Sequence, residues 1–251
     1  MGDLIRGQVD ILLVSETKLN KSFPPAQFAL EGFADPPCRL DRNIHGGGLL
    51  LYIRDDITIK PLKLVSTGIE CIILEVSIAK KKWLLMGIYN PQKYLTSSFL
   101  NILSSNLDHY LPSYDNVLLF GDFNCEISEV CMNDFCLLYN LKSLIKTPTC
   151  FKSASNPSCI DLILTNRSTS FQNSSTLETG ISDFHHLVVT VLKTKFKKKP
   201  PIIKKYRSFK NYNAFNYLNE LNRYLAGKDL HQISHDNFVN LLISYWINML
   251  P

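Results

Sequence analysis

Four carboxylates stand within or just beyond short apolar runs: Glu16 after VDILLVS, Asp122 in VLLFGDFN, Asp161 in SCIDLIL, and Asp183 in GISDFHH before LVVTVL. Oxygen donors of this kind, with positions left open for water, suit Mg²⁺ or Mn²⁺. Such an ion keeps a substrate phosphate oxygen in its shell, so the chemistry to expect is attack of water on a phosphoester, with a carboxylate taking the proton. Each acid also has a plainer reading. Asp122 alone reads equally as the cap of an Asx-turn, and Glu16 alone as a solvated charge at a strand end. Asp161 is harder to dismiss, because a carboxylate between Ile160 and Leu162 in an apolar strand is costly unless paired or bound.

The elements that must position these acids are short strands. Val9 to Val14, Gly48 to Ile53, Cys71 to Val76, Trp83 to Tyr89, Val117 to Phe120, Ile160 to Leu164 and Leu187 to Leu192 all read as strands. Several are apolar throughout, the pattern of strands covered on both faces, which predicts sheets packed on each other with helices outside. Phe99 to Leu111 places Phe99, Leu103, Leu107, Tyr110 and Leu111 on one stripe, as a crossover helix would. Strand ends of this kind gather ligands, since a rigid sheet fixes the side chains while the loops leave room for substrate.

Nine cations and no acid lie between Lys193 and Lys210, so the rest of a chain of net charge +5 is net acidic. Pro200 and Pro201 interrupt that run, and the expected organisation is a folded domain over 1–192, a basic linker over 193–211 and a helical segment over 212–251. In the last segment Phe215, Leu218, Leu221 and Leu225 share a helical stripe, and Ser234 is placed to cap a second helix. At 251 residues and 45% hydrophobic the chain buries a full core without staples. Seven cysteines without a C-x-x-C pair predict free thiols. No apolar run reaches the ~18 residues of a membrane span, and MGDLIRGQVDILLV lacks the build of a secretory leader, so an intracellular protein is expected. The HGGG at His45 to Gly48 has no G-x-S-x-G elbow to serve and reads as a hairpin loop; phosphate-loop and zinc-helix motifs are lacking too.

Taken together, SETK at Ser15 to Lys18, HGGGLLLYIRDDI at His45 to Ile57, GIYNP at Gly87 to Pro91, GDFN at Gly121 to Asn124, SCIDLILTN at Ser158 to Asn166 and SDFHH at Ser182 to His186 resemble the endonuclease/exonuclease/phosphatase superfamily. The similarity is to the apurinic-type endonuclease domains of non-LTR retrotransposons, and it spans roughly Val9 to Leu192. It implies a four-layer α/β/β/α sandwich of two packed mixed sheets and a metal-dependent phosphodiesterase that nicks DNA. By resemblance Glu16 and Asp183 hold Mg²⁺ or Mn²⁺, Asp122 orients or deprotonates the attacking water, and Asn124 hydrogen-bonds the phosphate. Tyr89 positions a phosphate oxygen or eases departure of the leaving group, although its place also suits a half-buried aromatic at the edge of the core. Asp161 orients a histidine. DNA is the implied partner, with a reverse transcriptase in cis and a nuclear location if the DNA is chromosomal.

Two departures qualify the resemblance. The family begins with an earlier strand bearing an asparagine, and no such strand precedes Val9, so an incomplete copy with a helical C-terminal extension is expected. An ungapped match also sets Phe184 at the family's histidine, with His185 one place later. If extended structure starts at Asp183, then Asp183 and His185 share a face, and a bulge would serve equally. His185 is the first choice for the catalytic histidine and His186 the second. The alternative to an enzyme is a catalytically inactive fold that at most binds nucleic acid.

Overall fold

The computed structural model describes residues 9–78, 80–91, 95–194, 214–226 and 239. The chain divides into two compact units, 1–199 and 200–251. The first unit is built on a six-stranded mixed sheet, in the order β4 (Ile59–Leu62), β5 (Glu70–Ile78), β6 (Lys81–Tyr89), β7 (Asn116–Asp122), β9 (Asp161–Thr165) and β8 (Lys142–Ser143). Strands β5 and β6 form an antiparallel hairpin. The chain then crosses through helix α1 (Thr96–Tyr110) to β7, which lies parallel to β6. A second sheet, antiparallel throughout, has the order β1 (Ile11–Ser15), β3 (Leu49–Ile53), β2 (Cys38–Leu40).

The layers follow from which residues alternate to which face. Leu84, Met86 and Ile88 of β6, with Val117 and Leu119 of β7, pack under Phe99, Leu103 and Leu107 of α1 and under Met132 and Phe135 of α2 (Val130–Leu138). The other face of the same sheet, Leu74, Val76, Trp83 and Leu85, meets Leu51 and Ile53 of β3, with Ile11 and Leu13 of β1 against them. The far face of the small sheet, Leu50 and Tyr52, is covered by Phe28, Leu30 and Phe33. This fourth layer is a loop with a single 3-10 turn, Pro25–Phe28, because prolines at 24, 25, 36 and 37 leave that segment no long helix. All five residues of β3 and Trp83 to Tyr89 of β6 are buried, so continuous apolar runs are indeed the strands covered on both faces.

A two-stranded ribbon of β10 (Phe171–Leu177) and β11 (Leu187–Leu192) completes the unit, with a bulge between Gln172 and Ser175. Its Phe171 meets Trp83 edge to face at 5.9 Å. All seven cysteines are free. In the second unit the described part is helix α3 (Ala214–Leu225); the second helix expected from Ser234, and nearly all of the basic run, lie outside the described residues. Among the described residues no helix is long and apolar enough to cross a membrane.

Two glycines let the sheets and strands approach where the acids are. Gly87 faces Leu13 of β1, and a Cβ there would stand 3.0 Å from the Leu13 Cδ1. Gly121 has φ 138, and a Cβ there would lie 1.9 Å from the Ile88 carbonyl oxygen. An L side chain meets both a forbidden backbone region and a main-chain clash at that position. Gly121→Ala is therefore expected to destabilise the first unit by about 2–4 kcal/mol, read as a lower midpoint in urea unfolding; an unchanged midpoint would refute the assigned backbone.

Candidate active site

Register brings the acids together. Glu70 of β5 lies opposite Tyr89 of β6, Tyr89 opposite Asp122 of β7, and Asp122 opposite Asp161 of β9. Directly paired residues point to the same side of a sheet, so these four form one row across four strands. The row lies on the face turned to the small sheet, since Leu85 and Phe120, two residues earlier on β6's Gly87 row and on β7, pack into the layer between the sheets. Glu16 arrives from that small sheet, directly after β1, and its carboxylate accepts a hydrogen bond from the Tyr89 hydroxyl. The close approach at Gly87 makes that contact geometrically natural: Leu13 precedes Glu16 by three residues as Gly87 precedes Tyr89 by two.

The glycine loop has a second task here beyond the hairpin connection expected of it. The Gly47 and Gly48 carbonyls accept the Lys18 and Thr17 N–H groups at 2.9 and 3.3 Å, while the Gly48 N–H donates to Glu70 at 2.6 Å. Arg42 closes the arrangement on Glu70 at 2.8 Å. A Cβ at Gly47 would strike Arg42 and Glu70, and one at Gly48 would strike Thr17. Glu16 and Lys18 are held at φ 52 and 55, a left-handed conformation that non-glycine residues adopt only when neighbours over-determine it.

Asp122 is 7% exposed, and its carboxyl is pushed up to about 7, first by burial and then by the charge of Asp161 opposite. The Asn124 N–H opposes this by donating to Asp122 Oδ1 at 2.9 Å, which is the Asx-turn allowed for by the sequence, here built into a buried site. Asn124, at φ 49, also donates its side-chain amide to the Asn90 carbonyl at 2.6 Å. Tyr89 is raised well above a normal phenol by burial and by the Glu16 carboxylate it serves, so it stands as a neutral donor.

His185 Nδ1 lies 3.0 Å from Asp161 Oδ2, and the imidazole is raised, chiefly by that hydrogen bond. A short extended segment achieves the alignment. Cys150 bridges both Ser158 and His185, Phe151 N–H donates to the Phe184 carbonyl, and His186 N–H donates to the Thr149 carbonyl. The His186 ring stacks on Phe151 at 4.2 Å, so of the two histidines only His185 meets Asp161. Asp183 is exposed in the bend before it and makes no hydrogen bond or ion pair among the described residues. Among those residues no three His, Cys, Asp or Glu side chains gather into a metal-binding group, so Glu16 and Asp183 do not meet in one ready-made cage.

Three supporting residues carry no sequence signal strong enough to single them out. Asn90 is buried, its N–H donating to the Asp122 carbonyl and its side chain to the Phe123 carbonyl, each at 2.8 Å. It lies within GIYNP, but nothing in that motif assigned it a role apart from Tyr89. Thr149 is fully buried and its hydroxyl accepts the Ile160 and Asp161 N–H groups at 3.2 and 3.0 Å. Glu70 reads in sequence as an ordinary charge at a strand start.

A family model described as the Endonuclease/Exonuclease/phosphatase family matches residues 2–183. No curated protein matches the chain in sequence. Solved structures share its fold. The endonuclease domain of TRAS1, a telomere-specific non-LTR retrotransposon, superposes with a TM-score of 0.58 at 12% identity, over 76% of this chain and 89% of that one. An AP endonuclease from Archaeoglobus fulgidus gives 0.54 at 16% identity, over 76% and 92%. A mannosyl-6-phosphatase from Bacteroides thetaiotaomicron gives 0.53 at 15% identity, over 76% and 89%.

The raised Asp122 carboxyl has a sign that can be checked. A carboxyl whose folded value exceeds its unfolded value near 3.9 holds its proton longer when folded, so stability falls as pH climbs from about 4 to about 7. Asp122→Asn removes that loss while keeping an oxygen for the Asn124 N–H. With a chelator present, thermal unfolding should show the variant more stable than the parent by about 1–4 kcal/mol at pH 8 and equal to it near pH 4. A variant less stable at both pH values would contradict the assigned burial.

Proposed function

The chain belongs to the endonuclease/exonuclease/phosphatase family, a family of phosphoester hydrolases, and on that premise we propose that it is a divalent-metal-dependent phosphodiesterase that nicks DNA. The observation that carries this reading is the row Tyr89, Asp122, Asp161 with Glu16 laid against it and His185 hydrogen-bonded to its end. Such a row has a base, an acid-oriented imidazole and a phenol donor on one surface, which is what hydrolysis of a phosphodiester requires.

Water attacks the phosphorus in line with the leaving alkoxide as the new P–O bond forms and the old one breaks. Asp122 accepts the proton of that water; a base poised near neutral pH suits the task. Asn124 holds the Asp122 carboxylate in place through its N–H and its side-chain amide. His185, kept in one orientation by Asp161, would donate a hydrogen bond to a phosphoryl oxygen on which charge develops. Tyr89 fixes the Glu16 carboxylate and stays protonated throughout.

The oxygen donors fit a magnesium-type ion better than a caged one. Mg²⁺ is held through one or two carboxylates and otherwise by water and substrate phosphate, so Glu16, fixed by the Tyr89 hydroxyl, would be the protein anchor, with Asp183 as a second. When bound, Mg²⁺ or Mn²⁺ supplies positive charge for the leaving oxyanion. The reading includes a retrotransposon origin, in keeping with the fold likeness to the TRAS1 domain, together with a reverse transcriptase in cis and action on chromosomal DNA in the nucleus as further parts of the proposal. One observation favours a second reading, an inactive fold that binds nucleic acid: the lack of a three-acid cluster among the described residues.

Nicking of supercoiled plasmid in Mg²⁺ separates the two. The proposal expects relaxed circles from the parent, no product in excess EDTA, and losses of about 10²–10⁴-fold for Asp122→Asn and for His185→Ala. The nicking rate should rise as pH passes through about 7, where Asp122 loses its proton. Equal nicking by parent and both variants would end the enzyme reading, and DNA retention without nicking would establish the binding one.

A further inference from the structure

A cavity of about 260 Å³ opens at the end of the large sheet away from the catalytic row. Trp83 of β6 and Asn116 of β7 are paired at one end of these strands, as Tyr89 and Asp122 are at the other. Six residues at ~3.3 Å each set the two pairs about 20 Å apart. A group held in this cavity is therefore not the phosphodiester being cut. Trp83 and Leu192 of β11 belong to its apolar wall, and its polar lining is Lys81, Asn116, Arg167, Thr169, Ser170 and Thr194.

That lining is held from beneath. Asn116 is 8% exposed; its amide donates to the Lys82 carbonyl at 3.0 Å, and its Oδ1 accepts the Arg167 Nε–H at 3.1 Å. The Arg167 N–H donates to the hydroxyl of the fully buried Thr165 at 3.1 Å. Lys193 donates its N–H to the Ser170 carbonyl at 2.9 Å and its Nζ to the Thr169 carbonyl at 2.8 Å, which fixes the turn Ser168–Ser170. Arg167 is thus an oriented guanidinium with no acidic partner among the described residues, and no acid lines the cavity. Two cations and three hydroxyls offer more donors than the two oxygens of a carboxylate accept, whereas a phosphate group brings three strong acceptor oxygens and up to two charges. Arginine matches phosphate with two parallel N–H···O bonds. The cavity is smaller than the roughly 300–1,000 Å³ of pockets for drug-sized ligands, so it takes in the phosphate with little of what carries it.

We propose that this cavity is a second phosphate-binding site, remote from the catalytic row, which takes a phosphate group of a nucleic-acid strand or of a free phosphomonoester. Arg167 clasps two phosphate oxygens, Lys81 adds charge at the rim, and the hydroxyls of Thr169, Ser170 and Thr194 serve the remaining acceptors. The sequence next to Thr194 adds Lys195, Lys197, Lys198 and Lys199, a composition suited to a polyanion, so the strand is the expected source. The site stands apart from the nicking reading, since no residue of the catalytic row takes part in it.

Trp83 in the cavity wall gives the readout once Trp246→Phe leaves it as the single tryptophan. Full-length protein carrying that change is titrated with inorganic phosphate at constant ionic strength, in excess EDTA so that no divalent ion draws phosphate to the catalytic row. A saturable change in Trp83 fluorescence is expected, with affinity lower by about tenfold or more in Arg167→Gln, the loss of a charge-assisted contact, and lower also in Lys81→Gln. Lys81 is exposed at the end of the β5–β6 hairpin, so its variant decides the matter if Arg167→Gln fails to fold. No saturable change in the parent, or parental affinity in the folded variants, overturns the site. Titrations with adenosine monophosphate and with oligothymidylate lacking terminal phosphates then separate the sources. For a strand, Arg167→Gln lowers the slope of log affinity for oligothymidylate against log salt by about 0.7, one phosphate of a single strand. For a free phosphomonoester, adenosine monophosphate binding depends on Arg167 while the oligothymidylate slope stays at its parental value.

Discussion

The structure depends on two like charges being held side by side. Asp122 and Asp161 are direct partners on neighbouring antiparallel strands, where facing acids ordinarily repel. The pair persists because each carboxylate has its own donor: the Asn124 N–H and side chain on one, His185 on the other. The repulsion is partly relieved by the proton that Asp122 keeps to near-neutral pH, which is also what gives it the basicity of a proton acceptor. The surrounding framework, from Thr149 holding the start of β9 to Asn90 holding the end of β7, serves to keep that adjacency from relaxing.

Much of the fold was legible because burial on both faces writes continuous apolar runs into a sequence. The strands around Leu51, Leu74, Leu85, Leu119 and Leu164 and the crossover helix over Leu103 and Leu107 were all visible in that way. Elements with little burial were not. Strand β10 reads FQNSSTL and is largely polar, while β8 has two residues and β2 three. Helix α2 was hidden by its own exposed Val130, Leu137 and Leu138, which blur the apolar period.

The site was legible only as far as residue type allows. Asp122, Asn124, Asp161, Glu16 and Tyr89 stand in short motifs whose order could be read, yet nothing in a sequence says that β5, β6, β7 and β9 register to form one row. Glu70 stayed invisible for that reason: its importance lies in the Gly48 N–H and the Arg42 guanidinium it gathers, both distant along the chain. The one-place offset between Phe184 and His185 could be resolved only by a partner, and Cys150 provides it by pairing with His185. Asp183 illustrates the opposite limit, since a motif promoted it whereas the fold leaves it in solvent.

Strand β1, which delivers Glu16, is bonded to β3 on one side, and among the described residues no strand pairs with its other edge. The central strands β6 and β7 have a neighbour on each side. With half as many ladder bonds to break, β1 frays more readily than those central strands, and amide exchange in it runs ahead of exchange in β6 and β7. The Asp122–Asp161 pair, on β7 and β9, survives such an opening, but Glu16, bonded to the Tyr89 hydroxyl, swings away with its strand. Local melting at one edge would switch the centre off long before the fold is lost.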